Sequence, residues 1–341
     1  MRNWIRKSLL WLVSLCFLAA PALGEDYDDQ VMALELPAAE GGQFADLTAQ
    51  SDPFIGPHEG HYLFQPGEKS PYGYADPSIT VNLGTGRIYK TNYMYARVKI
   101  ASPAQIRTVT TEDSLAKTTK VLGSKLAGRV KAVVAVNGVL EADVSSGGVA
   151  FVDGPVLHHG AWKRPSAKTS EAKLNNWKEE QGRDTLVIDD QGNLVVLEAE
   201  SWGEIYSKIL DMGDSAVNVF AFGPALVVEG EPRYGYDSRQ MSSNRPAQRM
   251  AICQTGPLEY LLITSEGPED PGSTGLKLDQ FVELLASFPD IETAYNLDGG
   301  ASSTLVFRKG TETWAKVNCP KSGKKRQLRD LIYFADAWLP D

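Results

Sequence analysis

From residue 74 onward the chain is a succession of short runs in which apolar and polar residues alternate, each closed by a turn signal. This pattern restricts its fold more than any other feature. Alternation with period two puts one set of side chains on one face of a strand, so residues 78–83 and 93–100 read as strands. Gly84-Thr85-Gly86 between them reads as their turn. It is not a dinucleotide fingerprint, because neither a third glycine nor a helix follows. Residues 131–136 form a continuous apolar run that fits a strand buried on both faces, ending at Asn137-Gly138. Residues 185–189 and 193–197 flank Asp190-Gln191-Gly192, a hairpin signal. Further strands are expected at 217–222, 225–228, 249–253, 260–264, 293–297, 304–307 and 330–335. Helical spacing appears at Ile205, Ile209 and Met212, and again at Leu278, Phe281, Val282 and Leu285. Strands outnumber helices and hairpins mix with a few helical crossovers. The expected fold class is therefore α+β, with mixed, mostly antiparallel strands and a few packed helices in a single catalytic domain over residues 74–341. No internal repeat is present.

Two segments precede that domain. Arg2, Arg6 and Lys7 lead into an apolar run from Ser8 to Ala20, followed by Ala22-Leu23-Gly24. Residues 1–24 therefore read as a signal peptide, with Glu25 as the mature start; an uncleaved anchor or a lipoprotein at Cys16 is the alternative. No later stretch has the length of a membrane span. Residues 25–73 have no sustained period and read as an extension or linker. An exported chain, periplasmic or extracellular, is expected. With 34 Lys and Arg against 43 Asp and Glu, the net charge is −9. A nucleic-acid partner needs the opposite sign.

After the leader only Cys253 and Cys319 remain, enough for one disulfide or two buried thiols. His58, His61, His158 and His159 have neither nearby cysteines nor an H-E-x-x-H frame, so zinc is not expected and solvated loop positions are.

The chemistry concentrates in residues 295–305. An apolar strand delivers Asp298 at its end, Gly299 and Gly300 bare the backbone, and Ser302 and Ser303 supply hydroxyls. Amides and hydroxyls at such a bend suit phosphate oxygens, and the carboxylate is placed for acid-base or nucleophilic work. A plain Asp-Gly hairpin turn explains the same residues and stays open.

Asn296-Leu297-Asp298-Gly299-Gly300-x-Ser302-Ser303 resembles the signature of the phosphodiester glycosidase family. Other elements match in order: Asn137-Gly138 with Gly147-Gly148 and Asp153-Gly154 behind it, Phe222-Gly223-Pro224-x-Leu226, Arg249-x-Ala251-Ile252, and Ser273-x-Gly275-x-x-Leu278. The chain departs from the family pattern at Gln248, Met250, Cys253, Glu266, Pro268 and Ala301.

The resemblance implies hydrolysis of a sugar-1-phosphodiester in a phosphate-linked glycan. A carboxylate then stabilises or traps an oxocarbenium-like state, and the phosphate leaves with little need of a proton. On that reading Asp298 is nucleophile or base, Glu266 the second carboxylate, and Arg249 the phosphate clamp. Asn137, Gly138, Asn296, Gly299, Gly300, Ser302 and Ser303 line the substrate. No cofactor is required; Asp298, Glu266 and Asp153 offer oxygens to Ca²⁺ or Mg²⁺, but no D-x-D-x-D-G loop accompanies them. The alternatives are a glycan- or surface-binding protein on the same fold, and a metal-dependent phosphodiesterase cutting the P–O bond.

Overall fold

The computed structural model describes residues 34–47, 56–111, 119–138, 156–164, 170–236, 243–310, 313–318 and 326–341. The leader at 1–24, residues 25–33, Gly147-Gly148, Asp153-Gly154 and Cys319 lie outside them. The described architecture is α+β with mostly antiparallel strands, as expected. A nine-stranded antiparallel sheet runs Glu231–Pro232, Ala225–Val228, Thr293–Leu297, Met250–Gly256, Glu259–Ser265, Thr91–Ile100, Ile79–Ile88, Gly73–Ala75, Tyr62–Leu63. A five-stranded sheet runs Trp314–Lys316, Leu305–Arg308, Val134–Asn137, Asp330–Phe334, Ile106–Thr110. A second five-stranded sheet runs Ala161–Arg164, Val156–His158, Ala216–Phe220, Thr185–Asp189, Leu194–Leu197.

One apolar core lies among the three sheets. Val98, Ile252 and Tyr295 come from the first sheet, Val134, Leu305 and Ile332 from the second, and Leu186, Ile188 and Phe220 from the third. Alternation sets this up: along Met250–Gly256, Met250 and Ile252 enter that core, while Ala251 and Cys253 face the helix Leu278–Ala286. That helix buries Leu278, Phe281, Val282 and Leu285, the apolar stripe read from the sequence. Trp202–Met212 is likewise a helix; Ser201 caps it by accepting from Glu204 N at 3.3 Å, and it buries Trp202, Ile205 and Ile209. The Cys253 thiol is buried and unpaired, and burial raises its pKa well above the usual thiol range.

Three expectations change. The strand Ile79–Ile88 continues through Gly84 and Gly86 instead of turning there. Gly84 pairs with Tyr95 and Gly86 with Tyr93, and the two tyrosine rings occupy the space that glycine Cβ atoms would fill. The turn falls at Tyr89 and Lys90, with φ of 49° and 57°. Next, the segment read as an extension or linker contributes to the body. Gly42–Phe44 pairs with Trp338–Pro340, Tyr62–Leu63 is an edge strand of the large sheet, and Leu47 and Tyr62 are buried. Its alternation is too short to detect, and the partners of Gly42–Phe44 lie nearly 300 positions away in sequence.

The histidines are also not solvated loop residues. His158 is buried against the Phe220 ring, His58 Nε2 lies 2.9 Å from Trp338 O, and His61 Nδ1 lies 3.0 Å from Ala75 O. His159 Nε2 lies 2.9 Å from Thr108 O. One ring nitrogen each of His58, His61 and His159 thus meets a main-chain carbonyl oxygen.

Candidate active site

The functional residues gather because antiparallel pairing brings strand ends together. Met250 pairs with Thr264 on one side and with Leu297 on the other. The residues just outside this ladder, Arg249, Ser265 with Glu266, and Asp298, therefore lie side by side. Arg249 and Ser265 exchange bonds: Arg249 N donates to Ser265 Oγ at 3.0 Å and Ser265 N donates to Arg249 O at 3.0 Å. In the second sheet Asn137 pairs with Leu331, and Val136 with Leu305, so the end of one strand meets the starts of two others.

The signature bridges these two sheets. Thr293–Leu297 belongs to the nine-stranded sheet and Leu305–Arg308 to the five-stranded one, so the strands on either side of Asp298 do not pair with each other. This excludes the hairpin reading. Gly300 adopts φ +57°, and a Cβ on Gly299 would come within 2.7 Å of Gln248 O. Both glycines are thus demanded by the backbone path. Gly300 N donates to Gln248 O at 2.9 Å, holding the bend against the start of the Met250 strand.

Asn137 spans the junction. Its Nδ2 donates to Asp298 O at 2.8 Å and to Gly138 O at 3.1 Å, while its Oδ1 accepts from Thr304 N at 2.9 Å. It fixes both ends of the Asp298–Thr304 connection, and its side chain is committed to the main chain instead of lying open to a sugar. Asn296 is similarly committed, its Nδ2 donating to Gly223 O at 2.8 Å and its N to Pro224 O at 3.1 Å. The Phe222-Gly223-Pro224 element thereby braces the strand that carries Asp298. Gly138 is needed because a Cβ there would collide with the Asp330 carboxylate.

Asp298, Gly299 and Gly300 are half-buried, and Ser302 and Ser303 are buried. The Ser303 hydroxyl has no partner among the described residues. Glu266 is half-buried, its Oε2 accepting from Ser273 Oγ at 2.6 Å and from Asn92 Nδ2 at 2.9 Å. Two carboxylates therefore occupy one end of the sheet, on strands adjacent to Met250–Gly256.

Arg249 differs from its expected role. Its side chain is buried, with Nε donating to Leu276 O at 3.1 Å and Nη2 to Arg245 O at 2.8 Å and Ser243 O at 3.4 Å. Burial lowers its pKa to about 10. The guanidinium straps residues 243–245 and Leu276 to the strand and is not presented as an open phosphate clamp. Replacing Arg249 with Met should destabilise the protein by roughly 2–4 kcal/mol, since buried carbonyls lose charged donors. Urea unfolding measures this, and a loss below about 1 kcal/mol would show that the strap is dispensable.

Sequence reasoning missed three buried residues at this junction. Asp330 lies against Gly138. Asn318 accepts from Leu305 N at 2.8 Å and donates to Ser303 O at 3.1 Å. The Gln248 amide fills the space over Gly267. Each stands at a strand end or in a loop, where a lone polar residue looks like any solvated turn. Among the described residues no three His, Cys, Asp or Glu side chains cluster as a metal site. Asp153, the third member of the expected cation set, lies outside them.

The fold and the signature junction define a hydrolase-family domain, and comparison with known proteins gives the family. The phosphodiester glycosidase profile matches residues 130–335, and the chain belongs to the phosphodiester glycosidase family. Among solved structures it is similar to the zebrafish N-acetylglucosamine-1-phosphodiester α-N-acetylglucosaminidase catalytic domain auto-inhibited by its pro-peptide. The TM-score is 0.57 at 16% identity, covering 91% of this chain and 99% of that one, a likeness of fold. A hypothetical protein from Synechocystis matches with a TM-score of 0.49 at 14% identity, covering 76% of this chain and 63% of that one. No curated protein matches by sequence. No described helix is long and apolar enough to cross a membrane.

Proposed function

We propose that this protein is an exported hydrolase that cleaves the glycosidic bond of a sugar-1-phosphodiester in a phosphate-linked glycan. The observation that carries the reading is the placement of Asp298: at the break between two sheets, followed by bare glycine backbone and a buried, unpartnered serine hydroxyl, with Asn137 holding its main chain. Loss of a phosphate from an anomeric carbon leaves positive charge on the sugar ring. Asp298 either attacks that carbon or stabilises the charge as the C1–O bond breaks and the phosphomonoester leaves as its anion; water then adds to C1, displacing Asp298 where it had bonded, and gives free sugar with its second proton released to solvent. Glu266, held by Ser273 and Asn92, is the second carboxylate and orients water or substrate hydroxyls.

Purified protein incubated with a panel of sugar-1-phosphodiesters in ¹⁸O-water should release free sugar with the label in the sugar, marking C–O cleavage. Label in the phosphate would instead identify a phosphodiesterase cutting the P–O bond. The buried, carbonyl-bound state of Arg249 and the departures at Met250, Pro268 and Ala301 favour one other reading, a glycan-binding protein without turnover. Binding to the panel with no product from the wild-type protein would establish that reading.

A further inference from the structure

The residues that hold Glu266 come from the hairpin of Ile79–Ile88 and Thr91–Ile100, far from it in sequence. Tyr93 pairs with Ser265, and Glu266 N donates to Asn92 O at 2.8 Å, which carries that ladder one residue further. On its other side Asn92 pairs with Arg87. Arg87, Asn92 and Glu266 therefore form a row across three adjacent strands at one end of the nine-stranded sheet. Gln248 links this row to the Asp298 bend: its amide lies over Gly267, and its O accepts from Gly300 N at 2.9 Å.

A loop closes over the row. Asp270 Oδ2 accepts from Gly267 N at 3.1 Å, and Ser273 N donates to Asp270 O at 3.2 Å, so residues 267–273 fold back on themselves. Thr274 N donates to Lys90 O at 3.2 Å and seats the loop on the hairpin turn. Ser273, itself buried, is thereby returned to the half-buried Glu266. The hydrogen bonds then close into a ring. Asn92 N donates to Ser273 Oγ at 3.1 Å, Ser273 Oγ donates to Glu266 Oε2 at 2.6 Å, and Asn92 Nδ2 donates to the same oxygen at 2.9 Å. Arg87 ties the ring from outside. Its Nη1 donates to Asn92 Oδ1, and its Nη2 donates to Gly272 O at 2.7 Å.

Donor and acceptor chemistry permits one arrangement of these groups. A guanidinium only donates, so Asn92 turns Oδ1 toward Arg87 and keeps Nδ2 for Glu266. The Asn92 N–H occupies a lone pair of the Ser273 hydroxyl, whose hydrogen is then directed to the carboxylate. Both bonds fall on Oε2, so Oε1 is the oxygen left for water or a substrate hydroxyl. From this ring we infer that Asn92 and Ser273 are positioning residues that fix Glu266 with Oε1 turned to the reacting sugar, and that Arg87 sets the orientation of Asn92. What Oε1 acts on rests on the hydrolytic reading; how Glu266 is held rests on the hydrogen bonds alone.

Kinetics of the full chain give the first test. On a sugar-1-phosphodiester that the wild type hydrolyses, Asn92→Ala and Ser273→Ala should each lower kcat about tenfold and change KM less than about twofold. Ser273→Thr, which keeps the hydroxyl, should retain at least about half the wild-type rate. In a Glu266→Ala background the two alanine substitutions should change kcat less than about twofold, because they act through the carboxylate. Crystal structures give the second test: in Asn92→Ala/Ser273→Ala the Glu266 carboxylate should move by about 1 Å or more. Losses that persist in the Glu266→Ala background, or variants within about twofold of the wild type, overturn the inference and leave the hydrolytic reading in place. A wild type that releases no sugar overturns that reading instead. The crystal structures then decide how Glu266 is held: a displaced carboxylate in the double variant upholds the ring, and an unmoved one overturns the inference.

Discussion

Asp298→Ala is expected to lower kcat on a sugar-1-phosphodiester by about 10³-fold or more while leaving the folded structure intact. The magnitude follows from the charge. A carboxylate about 4 Å from a developing oxocarbenium centre, at an effective dielectric near 20, contributes roughly 4 kcal/mol, and each 1.4 kcal/mol is tenfold in rate. Covalent trapping by the same oxygen would make the loss larger. Stability should change little, because Asp298 is only half-buried and Asn137 holds its main-chain carbonyl, which alanine also has. Asp298→Asn separates charge from shape: it keeps the volume and removes the anion, and should lose nearly as much activity. A small external anion such as formate should restore part of the alanine variant's rate and none of the asparagine variant's, since only alanine leaves room for it. Retention of more than about a tenth of the wild-type rate by both variants would remove Asp298 from the chemistry.

Features built from local physics could be read in the sequence, and features built across sheets could not. Period-two alternation located the central strands, and the stripe Leu278, Phe281, Val282, Leu285 located a helix, because each is a property of consecutive residues. Asp298 and its glycines stood out for the same reason: an apolar strand ending in a carboxylate and bare backbone is a local pattern. The identity of the partner strands was hidden. The Asp298 bend changes sheets, whereas a hairpin with the same residues would return to its own, and only the partners Met250 and Val136 distinguish the two cases. Side-chain direction was hidden too. Arg249 and Asn137 stand at strand ends where an exposed reading is natural, yet both are turned onto main-chain carbonyls because the segments beside them arrive with unpaired groups. Gly84 and Gly86 misled for a related reason: the tyrosine rings that make them good strand residues come from the neighbouring strand.

The stability of the fold should fall as pH rises from about 4 to about 8, at up to about 1.4 kcal/mol per pH unit, through a buried acid pair remote from the chemistry. Asp76 and Asp336 are both fully buried, and the Tyr74 hydroxyl lies 2.7 Å from Asp76 Oδ2 and 2.8 Å from Asp336 Oδ2. The hydroxyl also accepts from His58 N at 3.0 Å. Its single proton serves one carboxylate, so the other contact requires a proton on Asp336. Asp76 Oδ1 already accepts from Ser78 N at 2.6 Å and from Ile79 N at 3.0 Å. Burial, reinforced by the neighbouring Asp76 charge, pushes the Asp336 pKa up to about 8. An unfolded aspartate titrates near 4, so between these values the folded chain binds more protons than the unfolded chain. Stability is then greatest below pH 4 for this group and is lost as pH rises through 8. Asp336→Asn should flatten this slope, because its amide donates to the Tyr74 oxygen as the protonated acid does. Tyr74→Phe should cost about 3 kcal/mol or more at neutral pH by leaving His58 N and two carboxylate oxygens unpaired. The network joins residues 58–79 to 336–338, so the first region to loosen above pH 8 should be this seam, read as faster hydrogen exchange at His58 and Trp338 than at Ile252. An unchanged pH profile in Asp336→Asn would show that no shared proton holds the two acids together.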